Sequence, residues 1–326
     1  MSVDPASLLI DGPWTHHHIS ANGARFHVAV CEPDGEDRVG VESPLVLLLH
    51  GFPQTWYAWR HQLPALAAAG YRAATMDLRG FGNSDKPPRG HDAFSLARDV
   101  SGVIRSLGAI DAVVVGHGYG AQVAWSMPNL APTVTRAIGV LSSPHPVPLR
   151  SRSPRLVPAG TLASLAFAQL PSVPEKRLRG DWVGQLLRAW GAPDWEPEAA
   201  SVYADAMRLP SVAHHVLEQA RWQVRSTPRP DGQRYLMAMR ERISVPVLGL
   251  HGQLDRCLPP RSRRYDAAHV TGPSTFRTVP GAGHFLPEEA PDVVTQHLRE
   301  FLRGLPDAGS GPDADAGTGP GASDLG

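Results

Sequence analysis

Residues 113–122 of this chain read VVVGHGYGAQ, and this stretch decides the fold. Its apolar start, without alternation, is typical of a strand covered on both faces, and the AQVAWSM segment from residue 121 has the composition of a helix. Gly116 and Gly120 flank the junction, a frame in which a sharp strand-to-helix turn lifts the central side chain out of a sheet as a nucleophile. Gly118 occupies that central position. The sequence therefore predicts a nucleophile turn that lacks its nucleophile.

Short apolar runs recur on both sides of this turn. They are LVLLL at Leu45–Leu49, YRAATM at 71–76, AVVVG at 112–116, AIGVL at 137–141, PVLGL at 246–250 and a weaker TFRTV at 275–279. Segments between them, such as FSLARDVSGVIRSLG, place their apolar side chains on one helical face. Repetition of strand and helix predicts an α/β fold, with a mainly parallel sheet and helices on both of its faces.

The strand–helix rhythm stops over residues 147–242, where amphipathic pieces such as DWVGQLLRAWG lie among Pro and Arg. We therefore expect a core at 1–146, a helical cap at 147–242, a second core part at 243–305 and a tail at 306–326. The tail is mostly Gly, Pro, Ala and Asp, which predicts disorder. Ligands bind beyond the carboxyl ends of the strands in such sheets, so an insertion there forms a lid.

Composition limits the partners. Lys plus Arg and Asp plus Glu both number 31, so no broad basic field indicates nucleic acid or an anionic membrane. The chain shows no basic start followed by an apolar run and no stretch of about 18 apolar residues. Two cysteines, Cys31 and Cys257, give no disulfide framework and suit a reducing compartment. We expect a cytoplasmic monomer or homodimer that acts on a small molecule and binds neither nucleic acid nor membrane.

We expect neither a metal nor a cofactor. The histidines at 16–18 are the one local pattern that suggests a metal site. Adjacent residues on an extended strand point to opposite faces, so these side chains converge poorly. A surface strand is the simpler interpretation of that run.

Motifs that carry chemistry follow other predicted strands. HGFP at 50–53 closes a central strand where an oxyanion loop is expected, with the N–H groups of Phe52 and Tyr119 as donors. HGQLDRCLPP places Asp255 just past another strand, and PGAGHFLPEEAP places His284 in a Gly-flanked loop. The order of turn, acid and histidine is the one that α/β-hydrolases use. Four further side chains are candidates for the pocket wall: His50, Trp56, His117 and His145.

The chain resembles the epoxide hydrolase and haloalkane dehalogenase branch of the α/β-hydrolases over about residues 14–305. The resemblance is carried by LLLHGFPQTWYAWR, DLRGFGNSDKPP, VVVGHGYGAQVAW, SSPHP, HGQLDRCLPP and GAGHFLPEEAP. It implies that a turn aspartate opens the epoxide to form an ester, which water activated by a histidine then cleaves. By position His284 would be that base and Asp255 its orienting partner.

The sequence departs from this pattern at the residues that would carry out the reaction. Gly118 stands where the family has aspartate, and losing such a nucleophile costs about 10⁴–10⁶ in rate. The two lid tyrosines of epoxide hydrolases are missing from TLASLAFAQLPSVPEK and HHVLEQARW, because Tyr203 and Tyr235 lie outside these segments. Dehalogenases also need the aspartate, usually with a tryptophan and an asparagine where this chain has Tyr119 and Phe52.

Three functions remain open from the sequence. In the first, a water molecule beside Gly118 is activated by His284 and hydrolyses an ester or another activated electrophile. In the second, the scaffold is a catalytically inactive protein that binds or senses small apolar molecules. The third is a serine hydrolase that uses Ser84, Ser142 or Ser143, none of which stands at the turn.

Overall fold

The computed structural model describes residues 3–33, 43–151 and 153–306. Strands in these ranges are β1 (Thr15–Ala21), β2 (Ala24–Cys31), β3 (Leu45–Leu49), β4 (Arg72–Met76), β5 (Ala112–His117), β6 (Thr135–Leu141), β7 (Val247–Gly252) and β8 (Ser274–Val279). They form one sheet in the order β1-β2-β4-β3-β5-β6-β7-β8. The β1–β2 and β2–β4 pairs are antiparallel, and the other five pairs are parallel.

The helices fall into three groups along the chain. The first is α1 (Gln62–Ala67), α2 (Ala93–Ser106) and α3 (Tyr119–Leu130). Between β6 and β7 lie α4 (Pro146–Ser151), α5 (Ser153–Leu156), α6 (Ala159–Phe167), α7 (Val173–Leu178), α8 (Trp182–Trp190), α9 (Ala200–Arg208), α10 (Val212–Arg225) and α11 (Pro230–Ala238). The last are α12 (Leu286–Glu289) and α13 (Pro291–Arg303). The predicted α/β fold with a mainly parallel sheet is confirmed.

The central strands are buried on both faces. Every residue of β3 and β5 is buried, as expected for parallel strands with helices against them. Helix α3 contacts β5 and β6, whereas α1 contacts β4 and α13. Since removal of apolar surface from water is the main favourable term in folding, these strands fix the frame that carries the loops at their carboxyl ends.

The turn after β5 explains the glycines of the opening motif. A Cβ at Gly116 would lie 2.1 Å from the carbonyl oxygen of Gly120, and a Cβ at Gly120 would lie 2.2 Å from that of Leu49. The Gly120 N–H donates to the His50 carbonyl at 3.1 Å. The start of α3 therefore lies directly against the end of β3, a distance that only glycine permits at these two positions.

Four other expectations do not concern the sheet. Within the described ranges, no helix combines the length and the apolar character needed to cross a bilayer. No group of three or more His, Cys, Asp or Glu side chains in those ranges is arranged to hold a metal ion. Both cysteines are buried, and no disulfide joins them. The predicted disordered tail at 306–326 lies outside the described residues, apart from Pro306.

Candidate active site

The loops after β7 and β8 bring an acid and a histidine together. Asp255 Oδ2 lies 2.9 Å from Nδ1 of His284, and both side chains are buried. The other oxygen, Oδ1, accepts the N–H groups of Cys257 and Leu258 at 2.8 and 2.7 Å. Burial on its own would raise the pKa of Asp255, but the charge of His284 and the hydrogen bonds from His251 and His284 lower it far below its usual range. The carboxylate is therefore ionised and accepts from Nδ1–H, which leaves Nε2 of His284 to act as a base.

Gly118 lies opposite that nitrogen. A Cβ at this position would be 3.6 Å from Nε2 of His284 and 3.5 Å from Cα of Gly51, both ordinary contact distances. The backbone has φ 53° and ψ −111°, a conformation that L side chains rarely adopt and that is tolerated mainly at functional sites. The turn thus keeps the backbone conformation of a nucleophile position, which glycine adopts without strain, and leaves the side-chain position in front of the histidine unfilled.

Two backbone donors lie beside this space. The N–H groups of Phe52 and Tyr119 have no hydrogen-bond acceptor in the described part of the chain, whereas the N–H of Gly118 donates to Leu141 at 3.0 Å. Tyr119 opens α3, and the first N–H groups of a helix have no partner within the helix. Open amides of this kind suit a negatively charged oxygen that develops during a reaction.

The histidine, the turn glycine and the two residues with open amides line one cavity of about 520 Å³. Phe52, Gly118, Tyr119 and His284 line it from the sheet side. Side chains of α6, α8 and α10 line it from the other side, among them Leu165, Trp182, Trp190, Val216 and Leu217. The lining is mostly apolar with a few polar groups, which is the usual composition of a site for a small organic molecule.

The histidine loop is joined to the helical segment at α8. The His284 N–H donates to the carbonyl of Trp190, the last residue of α8, at 3.2 Å. The two rings meet edge to face with centroids 5.8 Å apart. Glu289 adds a second link, because its Oε2 accepts the N–H groups of Ala192 and Gly283 at 2.9 and 2.6 Å.

Two of the four predicted pocket side chains lie beneath the site. His50 donates from Nδ1 to the Gly51 carbonyl at 2.9 Å and accepts the Leu78 N–H at Nε2, 3.1 Å away. Trp56 is buried and donates from its indole to Leu8 at 3.2 Å. Neither lines the cavity, so both expectations are corrected. His50 joins the loops after β3 and β4, and Trp56 joins the loop after β3 to the N-terminal segment at Leu8.

The other two also lie outside the cavity wall. His117 donates from Nε2 to the carbonyl of His284 at 2.7 Å, and burial, aided by the charge of His284, lowers its pKa to about 3. The His145 ring stacks on His269 with centroids 4.0 Å apart, and burial followed by that neighbour lowers its pKa to about 2. Neither ring lines the cavity, so the two pocket assignments are corrected.

The tyrosines of the helical segment have other partners. Tyr203 donates to Glu288 at 2.9 Å, and the Tyr235 hydroxyl shares a 2.9 Å hydrogen bond with Ser126. Within the described residues, Tyr119 is the one tyrosine that lines the cavity. Burial, followed by the charge of Cys257, raises the pKa of its hydroxyl above the ordinary value. Sequence reasoning used only the backbone of Tyr119, because the turn geometry decides where its side chain points.

The three serines proposed as alternative nucleophiles are placed differently. Ser143 lines the cavity and accepts a hydrogen bond from Gln122 at 2.7 Å. Ser84 donates to the Asp77 carbonyl at 2.6 Å, and neither it nor Ser142 lines the cavity. Sequence reasoning missed Arg150 and Thr161 in the lining, because no local pattern marks either residue.

Comparison with known proteins places the chain in a family. Residues 46–297 match the sequence profile described as "Alpha/beta hydrolase family". The AB hydrolase superfamily protein YfhM of Bacillus subtilis is 30% identical over 294 residues, covering 87% of this chain and 96% of that protein. Epoxide hydrolase A of Mycobacterium tuberculosis is 31% identical over 332 aligned residues, covering 90% and 99%.

Solved structures of epoxide hydrolases are similar to this chain. An epoxide hydrolase from an endophytic Streptomyces superposes with a TM-score of 0.74 at 27% identity, over 90% of this chain and 97% of that one. Epoxide Hydrolase A from Mycobacterium thermoresistibile gives 0.69 at 28% identity, over 90% and 100%. The chain therefore belongs to the alpha/beta hydrolase family and is similar in sequence and structure to epoxide hydrolases.

Proposed function

We propose that this protein hydrolyses activated esters of small, largely apolar molecules by direct attack of water, with His284 as the base. One observation carries the proposal: the open space between the Gly118 backbone and Nε2 of His284, at the wall of a cavity. A water molecule occupies about 30 Å³ in the liquid, which is far less than the cavity volume of about 520 Å³. Gly118 has no side chain to form an ester intermediate, so water takes the place of the nucleophile.

The chemistry needs two proton transfers. Nε2 of His284 takes a proton from water as its oxygen attacks the ester carbonyl carbon, and Asp255 stabilises the imidazolium that forms. The carbonyl oxygen becomes an oxyanion that accepts from the Phe52 and Tyr119 amides. When the tetrahedral intermediate collapses, the C–O bond to the alcohol breaks and the alcohol takes the proton back from Nε2. The products are one acid and one alcohol.

In this proposal the chain is divided as the sequence indicates. The cap at 147–242 forms the lid, and core residues 1–146 and 243–305 supply the reacting groups. Supporting this division, α6, α8 and α10 contribute much of the apolar cavity wall, whereas Asp255 and His284 follow sheet strands. Esters are favoured over epoxides because two open amides suit an oxyanion, while Tyr203 and Tyr235 are not at the cavity.

A second candidate is a non-catalytic protein that binds small apolar molecules in the same cavity. The observation that favours it is the lining itself, which among the described residues holds no Asp or Glu able to act as a nucleophile. This candidate predicts stoichiometric binding without turnover, so kinetics separates the two.

The test measures hydrolysis of p-nitrophenyl butyrate and styrene oxide by the native protein, His284→Ala and Gly118→Asp. His297→Ala is the control, because His297 lies on α13 and its Nδ1 pairs with Glu300 at 3.5 Å. We expect slow ester turnover that is lost in His284→Ala and kept in His297→Ala. Because no acyl-enzyme forms, p-nitrophenolate should appear without an initial burst.

Three results contradict the proposal. A burst equal to the enzyme concentration would indicate a covalent route, for which Ser143 and Ser164 are the serines of the described residues that line the cavity. Equal turnover in His284→Ala would remove the histidine from the reaction. Activity found only in Gly118→Asp would show that the native protein has lost catalysis and would leave the binding function.

A further inference from the structure

The cavity wall contains a guanidinium without an acidic partner. Arg150, in the last turn of α4, lines the cavity. No Asp or Glu is among the described residues that line it, and no carboxylate of the described chain forms an ion pair with Arg150. Among the described residues that line the cavity, His284 is the one other basic side chain. The cavity therefore has a positive group on the cap side.

Arg150 is half-buried and differs in this respect from the two arginines that are almost fully buried. These are Arg79, which pairs with Asp99, and Arg221, which pairs with Glu175. Arginine is rarely buried in proteins unless it is paired, because taking the charge out of water costs free energy. Burial lowers the pKa of Arg150, which the charges of Tyr235 and Asp231 only partly oppose.

Neutral groups hold this guanidinium in place. Its Cζ lies 4.5 Å from the Trp222 ring centroid and 4.9 Å from that of Tyr235, within cation–π range. Nη1 donates to Ser226 Oγ at 3.0 Å. Nε and Nη2 have no acceptor among the residues that the structure describes. These two nitrogens form one edge of the planar fork, the edge that binds a carboxylate through two parallel hydrogen bonds.

We propose that Arg150 binds the carboxylate of an amphiphilic ligand, whose apolar chain fills the cavity and whose reacting group lies at Gly118 and His284. The position of the reacting group rests on the proposed function; the carboxylate site does not. A single cation matches a monoanion in charge, whereas a phosphate dianion would leave one negative charge buried without a partner. Substrates of this class are monoesters of dicarboxylic acids.

The test measures binding of octanoate and of octan-1-ol by calorimetry to the native protein, Arg150→Gln and Arg150→Lys. Arg234→Gln is the control, because Arg234 is exposed on α11 and does not line the cavity. We expect the native protein to bind octanoate at least tenfold more tightly than octan-1-ol. Arg150→Gln should lose about tenfold or more for octanoate and less than twofold for octan-1-ol. Arg150→Lys should keep part of the preference, because an ammonium group keeps the charge but cannot form the two parallel hydrogen bonds, and Arg234→Gln should keep all of it.

Equal affinities for the two probes in the native protein would overturn the proposal, whatever the variants do. It would also fail if Arg150→Gln weakened both probes equally, since Arg150 would then only support packing. Because binding needs no turnover, an Arg150-dependent preference in a protein without esterase activity would support the carboxylate site and contradict only the proposed hydrolysis. Esterase activity with no preference for octanoate would support the proposed hydrolysis and contradict the carboxylate site.

Discussion

Two buried histidine–aspartate pairs in this protein have nearly the same geometry and different surroundings. His284 Nδ1 lies 2.9 Å from Asp255 Oδ2, and His27 Nδ1 lies 3.0 Å from Asp77 Oδ2. Both aspartates also accept two backbone N–H groups, and both have a lowered pKa. Local pairing therefore cannot decide which of the two is a candidate for catalysis.

The difference lies at the second nitrogen of each ring. Nε2 of His27 is hydrogen-bonded to Nδ1 of His16 at 2.9 Å, and Nε2 of His16 is hydrogen-bonded to the Ile10 carbonyl at 3.0 Å. Nε2 of His284 faces the space at Gly118 instead. A histidine can accept a proton from a substrate only where its second nitrogen is open. Substituting one member of each pair in turn tests this contrast.

The largest effect is expected from the two aspartates. Asp255→Asn should lower kcat/KM for the ester by about 10³–10⁴, because an amide no longer holds Nδ1–H toward itself and the wrong tautomer of His284 results. Asp77→Asn should leave kcat/KM per folded molecule within about twofold, since that pair faces no cavity. Steady-state kinetics, corrected for the folded fraction by circular dichroism, gives both numbers. A similar loss in the two variants would end the distinction between the pairs.

The next effect concerns folding. His27→Ala should lower the free energy of unfolding by about 3 kcal/mol, because it leaves the buried Asp77 charge without its partner. His284→Ala should cost about 1 kcal/mol, because Asp255 keeps His251 at 3.2 Å and its two backbone donors. Urea unfolding of both variants against His297→Ala measures the difference. Equal costs would show that the two carboxylates are equally well supported without their histidines.

The stability that the Asp77–His27 pair contributes should be lost in acid. Burial alone would raise the pKa of Asp77, but the hydrogen bond and charge of His27, together with His50, lower it from 3.8 to about 2. Between these values the unfolded chain binds more protons than the folded one, so stability is lost as the pH falls from about 4 to about 2. The shift corresponds to about 2 kcal/mol. Unfolding curves over this range should fall less steeply for Asp77→Asn than for the native protein, and parallel curves would refute the assignment.

The smallest effect probes the space in front of His284. Gly118→Ala should cost about 1–2 kcal/mol from its backbone conformation alone, since the added methyl group would meet no atom closer than 3.5 Å. Gly120→Ala is the matched control, because its Cβ would lie 2.2 Å from the Leu49 carbonyl oxygen and should cost considerably more. Thermal unfolding of the two variants measures both losses of stability. If Gly118→Ala lost as much stability as Gly120→Ala, the side-chain position in front of His284 would not be free.

The sheet was predictable because its central strands are continuous apolar runs. The LVLLL run matches β3 residue for residue, and the strand ends fixed which loops lie at one edge. That placement, together with the resemblance to α/β-hydrolases, predicted that Asp255 orients His284, and the two side chains are in contact. It was not enough for His50 or His117, because glycines beside them let the backbones approach so closely that both rings lie behind the turn.

Contacts across the fold were not predictable. The histidines at 16–18 were expected to form a surface strand, and β1 is that strand, yet its register against β2 brings His16 to His27. Arg150 is separated by 72 residues from Trp222 and by 85 from Tyr235, so no sequence pattern shows that the three meet. Such contacts depend on how helices pack, and short-range periodicity contains no information about that.

The hydrogen bond between the Trp190 carbonyl and the His284 N–H has a consequence for motion. Since the end of α8 and the histidine loop are tied at this point and again through Glu289, the helical segment cannot swing away there without displacing the base. A movement of the wall where α6 and α10 meet would leave both of these links intact. Such a movement would change access to the cavity without changing the geometry of the His284–Asp255 pair.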